Sequence, residues 1–234
     1  MIKVSGFTTQ GKIKSVNEDS IFAKRWIFKD QEIAAIAVAD GMGGYDCGEV
    51  HSQTAIKILK EHVQWEILNI ENSQEILDQC FSIIDHLSRL YNQENMKQGG
   101  TTLTVAVIIE TILIMKNIGD TRCFFIRNGV VEQLSEDHAI FDTKGNKTST
   151  LTKCLGMGMS ERAYTTMRKL QKGDIVIITS DGFYNKLDEN EMIKIAELME
   201  KQDETVISST IQTLYDRGEN DNISIVFFNL LNKL

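Results

Sequence analysis

The sequence predicts an α+β protein in which amphipathic helices cover a pair of antiparallel sheets. Strand-like and helical stretches come in separate blocks (strands, two helices, strands, two helices, a closing strand), not in the alternation that builds a parallel sheet. Each helix of the two pairs has one apolar stripe, which needs a sheet face to cover it. The run 33–44, IAAIAVADGMGG, is apolar without alternation, as expected of a strand buried on both faces.

Residues 3–9 alternate weakly and suit an opening strand. The polar turn 11–20 (GKIKSVNEDS) brings Asn17, Glu18 and Asp19 in front of the short apolar stretch 21–23, and 26–32 reads as a hairpin into the central run. That run ends at Asp40, expected to emerge at the sheet edge. Glycines at 41, 43 and 44 let the backbone turn tightly and approach a ligand closely. Residues 48–68 carry Ala55, Ile58, Leu59, His62 and Val63 at helical spacing. Residues 73–91 do the same with Ile76, Leu77, Cys80, Ile84, Leu87 and Tyr91, with Ser73 as N-cap. The two helices are expected to be antiparallel. His62 and His86 within them read as core or surface residues, not as ligands.

Gly99-Gly100 breaks the helical pattern, and 101–109 (TTLTVAVII) is a strong strand. It opens an expected antiparallel meander with 113–118, 123–127 and 130–134, the last two joined by an Asn128-Gly129 hairpin turn. Residues 141–149 (FDTKGNKTS) have the composition of a flexible surface loop, and 156–158 marks a turn. Residues 172–174 turn into a strand at 175–179. Asp188 and Glu191 form a capping-box start for a helix through Glu200, with Met192, Ile195, Ala196 and Met199 on one face. A last helix, 204–217, turns Val206, Ile207, Ile211, Leu214 and Tyr215 inward, and Asn220-Asp221-Asn222 separates it from a strand at 223–230.

The chain of 234 residues is long enough for one large core, so a single domain over 1–234 is expected. A formal net charge of −8 argues against a nucleic-acid surface, which needs clustered Lys and Arg. The N-terminus lacks the apolar stretch of a signal peptide, and no apolar run approaches the ~20 residues of a membrane span. A cytoplasmic location without a membrane partner is therefore expected. Cys47, Cys80, Cys123 and Cys154 contain no C-x-x-C pair and read as reduced, partly buried thiols, not as a disulfide or zinc framework.

Chemistry is signalled by repetition. Asp40 ends one apolar run, Asp120 follows 113–118, Asp181 follows 175–179, and Asp221 precedes 223–228. Any one of them could simply close a turn. Four together are how a sheet protein gathers carboxylates around hard cations such as Mg²⁺ or Mn²⁺.

The ordered set GKIKSVNEDS (11–20), VADGMGG (38–44) with Gly48-Glu49, GGTT (99–102), NIGDTR (117–122), LSEDHA (134–139), LTKCLG (151–156), TSDGFYN (179–185) and DNISIV (221–226) covers nearly the whole chain. It resembles the metal-dependent serine/threonine phosphatases of type 2C (the PPM family) in their short bacterial form. The resemblance implies a four-layer αββα sandwich with two tightly bound Mn²⁺ or Mg²⁺ ions. Asp40 would bridge them, with the Gly41 carbonyl, Asp181 and Asp221 as further ligands. Glu18 and Asp19 match the acidic pair of the first motif, and Asp120 the ligand of a third, weaker metal. Hydrolysis of phosphoserine and phosphothreonine by a metal-activated water would follow, with no phosphoenzyme.

Lys14 stands where the family usually has a phosphate-binding arginine. It keeps the charge but not the bidentate fork, and is expected to bind phosphate without ligating metal. The flap segment before LTKCLG is short, about 139–150. Met42 stands where animal members carry a histidine. The implied partners are phosphorylated proteins, including the bacterial Ser/Thr kinase that the enzyme would oppose, and the implied state is a monomer. The competing expectations are an inactive scaffold of the same fold, or a phosphatase acting on a partner-switching regulator.

Overall fold

Strand side chains alternate between faces, and in this protein the alternation sorts them into three separate cores. The computed structural model describes residues 2–42, 47–65, 69–201 and 205–230. In chain order the elements are β1 (Ile2–Thr9), β2 (Asp19–Phe28), β3 (Gln31–Met42), α1 (Gly48–Trp65), α2 (Ser73–Asn95), β4 (Gly100–Thr101), β5 (Leu103–Ile109), β6 (Ile112–Ile118), β7 (Arg122–Arg127) and β8 (Val130–Gln133). They continue with β9 (Ala139–Phe141), β10 (Lys147–Leu151), a 3₁₀ turn (Ser160–Arg162), β11 (Tyr164–Lys169), β12 (Ile175–Thr179), α3 (Asp181–Tyr184), α4 (Glu189–Glu200), α5 (Val206–Asp216) and β13 (Ile223–Leu230).

One sheet has the order β11-β6-β5-β3-β2, with β4 extending β3. The other runs β1-β13-β12-β7-β8, and every pairing is antiparallel. On β3, Ile33, Ala35, Ala37 and Ala39 face α1 and α2 in one core, while Ala34, Ile36 and Val38 face the opposite sheet in a second. On β13, Val226 and Phe228 enter that same inter-sheet core, and Ile223, Ile225 and Phe227 join α4 and α5 in a third. Three cores separate four layers, the expected αββα sandwich. The alanines of β3 present little bulk where the α1–α2 layer packs, which is why the central strand is rich in small residues.

Several elements differ from the sequence-based expectation. The hairpin begins at Asp19, not near residue 26: β2 pairs with β3 along its whole length, through a turn at Lys29-Asp30 with both residues at positive φ. Asp40 lies inside β3, two residues short of its end. The meander is broken, because β6 and β7 belong to different sheets and the chain crosses between them at Gly119–Thr121. Gly119, at φ +97°, makes that crossing against Thr102, whose Cγ2 would stand 2.5 Å from an added Cβ. The stretch read as a flexible loop is a two-stranded ribbon, β9 against β10. β11, at the edge of its sheet, had no counterpart in the sequence reading.

Ser73 is the first residue of α2, not its cap, and its hydroxyl donates to the Asn69 carbonyl. Leu87 is exposed, and the stripe continues through Asp85 and Ser88 instead. The capping box of α4 is present: Glu191 N–H donates to Asp188 Oδ1 (2.9 Å) and Asp188 N–H to Glu191 Oε2 (3.0 Å). All four cysteines are buried and none is in a disulfide, and neither His62 nor His86 lies in the cleft described below. Residues 43, 44, 68 and 204, which figure in the expected turn and helix boundaries, lie outside the described residues.

Candidate active site

Both sheets send strand ends to one edge of the sandwich, and a cleft of about 640 Å³ opens there. Asp40 (β3), Asp120 (the inter-sheet crossing), Asp181 (the first residue of α3, after β12) and Asp221 (before β13) all line it. So do Lys14, Glu18, Gly41, Met42 and Glu49. Asp19 is paired with Asp40 across β2 and β3 but is buried behind the cleft, where Ser180 Oγ donates to its Oδ2 at 2.8 Å. Of the acidic pair, Glu18 thus reaches the cleft wall and Asp19 supports it from behind.

The surrounding motifs act as clamps. Asp40 N–H donates to Thr102 Oγ1 (3.0 Å), and its carbonyl accepts from Thr102 N–H (2.9 Å) and Thr101 Oγ1 (3.0 Å). The GGTT segment therefore fixes the strand end that carries Asp40. Gly41 has no room for a side chain: an added Cβ would meet the Gly48 carbonyl oxygen at 2.1 Å, so α1 begins directly against the strand. Asn222 fastens the loop bearing Lys14 and Glu18. Its Oδ1 accepts from Glu18 N–H (2.9 Å), and its Nδ2 donates to the carbonyls of Gln10 (2.5 Å) and Val16 (3.2 Å).

Gathering carboxylates in a sheltered cleft disfavours their charged forms. Burial pushes the Asp19 carboxyl up from 3.8 to about 7, against the hydrogen bonds of Ser224 and Ser180 and with the charges of Asp181 and Asp221. Burial, and then Asp19, Asp181, Asp120 and Asp221, raise Asp40 well above the ordinary range. Asp181 is raised by burial and by Asp120. Each of these groups holds more protons folded than unfolded, so stability falls as pH rises through the gap between the two values. In chelator, the melting temperature is expected to drop between about pH 5 and about pH 7, and Mn²⁺ should remove much of that drop. A melting temperature that climbs across this interval would contradict the carboxylate cluster.

Two lysines stand among these acids. Lys14 Nζ is 3.1 Å from both Glu18 Oε2 and Asp221 Oδ1; burial opposes its charge, but the two carboxylates outweigh it and raise its pKa. Lys147, on β10, lies 2.5 Å from Asp120 Oδ2, 3.6 Å from Asp181 Oδ2 and 2.8 Å from Tyr184 Oη. Sequence reasoning missed Lys147 and Asn222. The Asn in the DN pair was a usable signal, whereas a lysine in a polar stretch was not.

Among the described residues no three His, Cys, Asp or Glu side chains close into a ready-made metal cage. The donor chemistry nevertheless fits hard divalent cations. The described lining offers carboxylate oxygens, and no Cys or His, around one cleft.

Comparison with known proteins agrees with this architecture. The family model of protein phosphatase 2C matches residues 10–214, and the chain belongs to that family. The serine/threonine phosphatase stp of Listeria innocua is 28% identical over 251 residues, covering 97% of this chain and 96% of its own. The solved serine/threonine phosphatase of S. agalactiae superposes with a TM-score of 0.85 at 21% identity, covering 98% of this chain and all of that one. The catalytic domain of the phosphatase PstP, solved in complex with two manganese ions, superposes with a TM-score of 0.78 at 24% identity, covering 99% of each chain. No helix among the described residues is long and apolar enough to cross a membrane.

Proposed function

We propose that this chain is a metal-dependent phosphatase of phosphoserine and phosphothreonine in proteins. The observation that carries this is the convergence of Asp40, Asp120, Asp181 and Asp221, from strand ends of both sheets, on one cleft in a chain of the protein phosphatase 2C family. Mn²⁺ or Mg²⁺ would be held by Asp40, Gly41, Asp181 and Asp221, with Glu18 and Asp19 in support and Asp120 serving a weaker third position. Such cations polarise phosphoryl oxygens and acidify water.

The chain's own residues do the rest. Asp40 sits on a strand end clamped by Thr101 and Thr102, so the carboxylates face the substrate in a fixed arrangement that needs little reorganisation. Lys14, at the rim and partly exposed, turns from Glu18 and Asp221 towards the incoming phosphate and neutralises one of its oxygens. The substrates are phosphorylated proteins, among them the Ser/Thr kinase whose marks the enzyme removes. The enzyme works as a cytoplasmic monomer, one domain spanning 1–234 with the 139–150 segment as its flap.

The test is Mn²⁺-dependent release of phosphate from a phosphothreonine peptide; no turnover with Mn²⁺ or Mg²⁺ would overturn the proposal. Within it, Lys14→Ala is expected to lower kcat/KM roughly tenfold while calorimetric Mn²⁺ affinity stays nearly unchanged, and Lys14→Arg to retain or improve activity. Wild-type kinetics in the alanine variant would show that Lys14 does not touch the phosphate.

A further inference from the structure

The ribbon β9–β10 is tied to the Gly119-Asp120 crossing at two points. At its base, His138 N–H donates to the Gly119 carbonyl (3.0 Å), and Gly119 N–H donates to His138 Nδ1 (3.1 Å). This bond assigns the ring proton to Nε2, which is buried and has no partner among the described residues. The Thr152 N–H, just past β10, donates to the His138 carbonyl at 2.8 Å. Farther out, Lys147 reaches in to Asp120 Oδ2 at 2.5 Å and lies 3.6 Å from Asp181 Oδ2. Tyr184 braces the contact, accepting from Lys147 Nζ at 2.8 Å and donating to the Asp120 carbonyl at 2.9 Å. The lysine side chain is only 11% exposed and the Asp120 side chain 8%, so the pair is sheltered from water, unlike most surface ion pairs.

We propose that Lys147 is a tethered cation of the cleft, latching the ribbon across Asp120 and Asp181 and competing with any divalent cation for those two carboxylates. One ammonium and one dication cannot occupy the same pair of oxygens. Cation binding there therefore frees the lysine and loosens the ribbon, and the closed ribbon weakens the cation. Ser149 and Leu151, which follow Lys147 on β10, line the cleft, so the latch also decides which ribbon side chains face a substrate. This rests on the metal-dependent reading of the cleft, and it adds a linkage between the third cation and the ribbon.

The experiment uses the full chain as wild type, Lys147→Gln and Lys147→Arg. Amide hydrogen exchange of residues 139–151 is followed in chelator and across a Mn²⁺ titration, and bound Mn²⁺ is counted by electron paramagnetic resonance. In chelator, Lys147→Gln is expected to speed ribbon exchange about tenfold, with Lys147→Arg restoring protection. The weaker class of Mn²⁺ sites, served by Asp120, should tighten about tenfold in the Gln variant; the tight class, which Lys147 meets only through Asp181 at 3.6 Å, should tighten by less, and wild-type ribbon protection should fall as the weaker class fills. Ribbon exchange in chelator that is the same in wild type and Lys147→Gln would overturn the latch. Weak-class affinity indifferent to Lys147 would overturn the competition. If wild type bound no Mn²⁺ in any class, the metal-dependent reading itself would fall, a result distinct from the other two.

Discussion

Asp40→Asn is expected to abolish metal-dependent hydrolysis, by at least about a thousandfold, while the sandwich stays folded. Asn has nearly the same shape, and what holds position 40 is its backbone, bonded to Thr101 and Thr102 whatever the side chain's charge. The lost carboxylate is one on which four other acids act: after burial itself, Asp19, Asp181, Asp120 and Asp221 all push the Asp40 carboxyl upward in pKa. In chelator near neutral pH the variant should therefore melt at or above the wild-type temperature. A carboxyl with a raised folded-state pKa destabilises progressively as pH climbs past its unfolded value, so the variant's advantage should widen from acid to neutral pH. With Mn²⁺ added, wild type should gain stability by binding linkage and Asp40→Asn much less. Peptide hydrolysis at near wild-type rates in the variant would sink the two-cation site.

The carboxylates were legible because each interrupts an apolar run, and a charge at the end of a buried strand must emerge somewhere. Which sheet a strand joins was not legible. β6 and β7 are both buried on their two faces, so periodicity looks the same whether they pair with each other or sit in opposite sheets. β11 escaped notice because it is an edge strand, with Tyr164 and Met167 exposed and no apolar run to mark it. Lys147 was unreadable for a different reason. Its partners Asp120 and Tyr184 lie 27 and 37 residues away, and only the folding back of the ribbon brings them together. Contacts set by long-range closure leave no local pattern in composition. Asn222 fell between these cases, since the DN pair was visible but its three bonds to a loop over two hundred residues earlier were not.

Asn222→Ala is the second large effect expected, and it separates a polar group that fastens the structure from one that is merely buried. The Asn222 side chain takes the Glu18 N–H and gives to the carbonyls of Gln10 and Val16, so its removal leaves one donor and two acceptors without partners at a site where Asn222 is only 4% exposed. Orphaned buried groups cost about 1–3 kcal/mol each, so a loss of about 2–4 kcal/mol in urea unfolding is expected after partial hydration. The same loop carries Lys14 and Glu18, so kcat/KM should also fall about tenfold or more, because a small displacement of a phosphate-facing cation costs rate steeply. Asn222→Asp should be no better: it keeps the acceptor but cannot donate to the two carbonyls, and it adds a charge beside Asp221. Asn229, on the strand β13 that follows Asn222 and also buried, supplies the contrast. Both its side-chain polar atoms lack partners among the described residues, so Asn229→Leu should leave stability unchanged or raise it. Urea melts of the three variants, with peptide kinetics on Asn222→Ala, decide the matter. Equal stability losses at 222 and 229 would show that the loop is held by packing and not by the Asn222 amide.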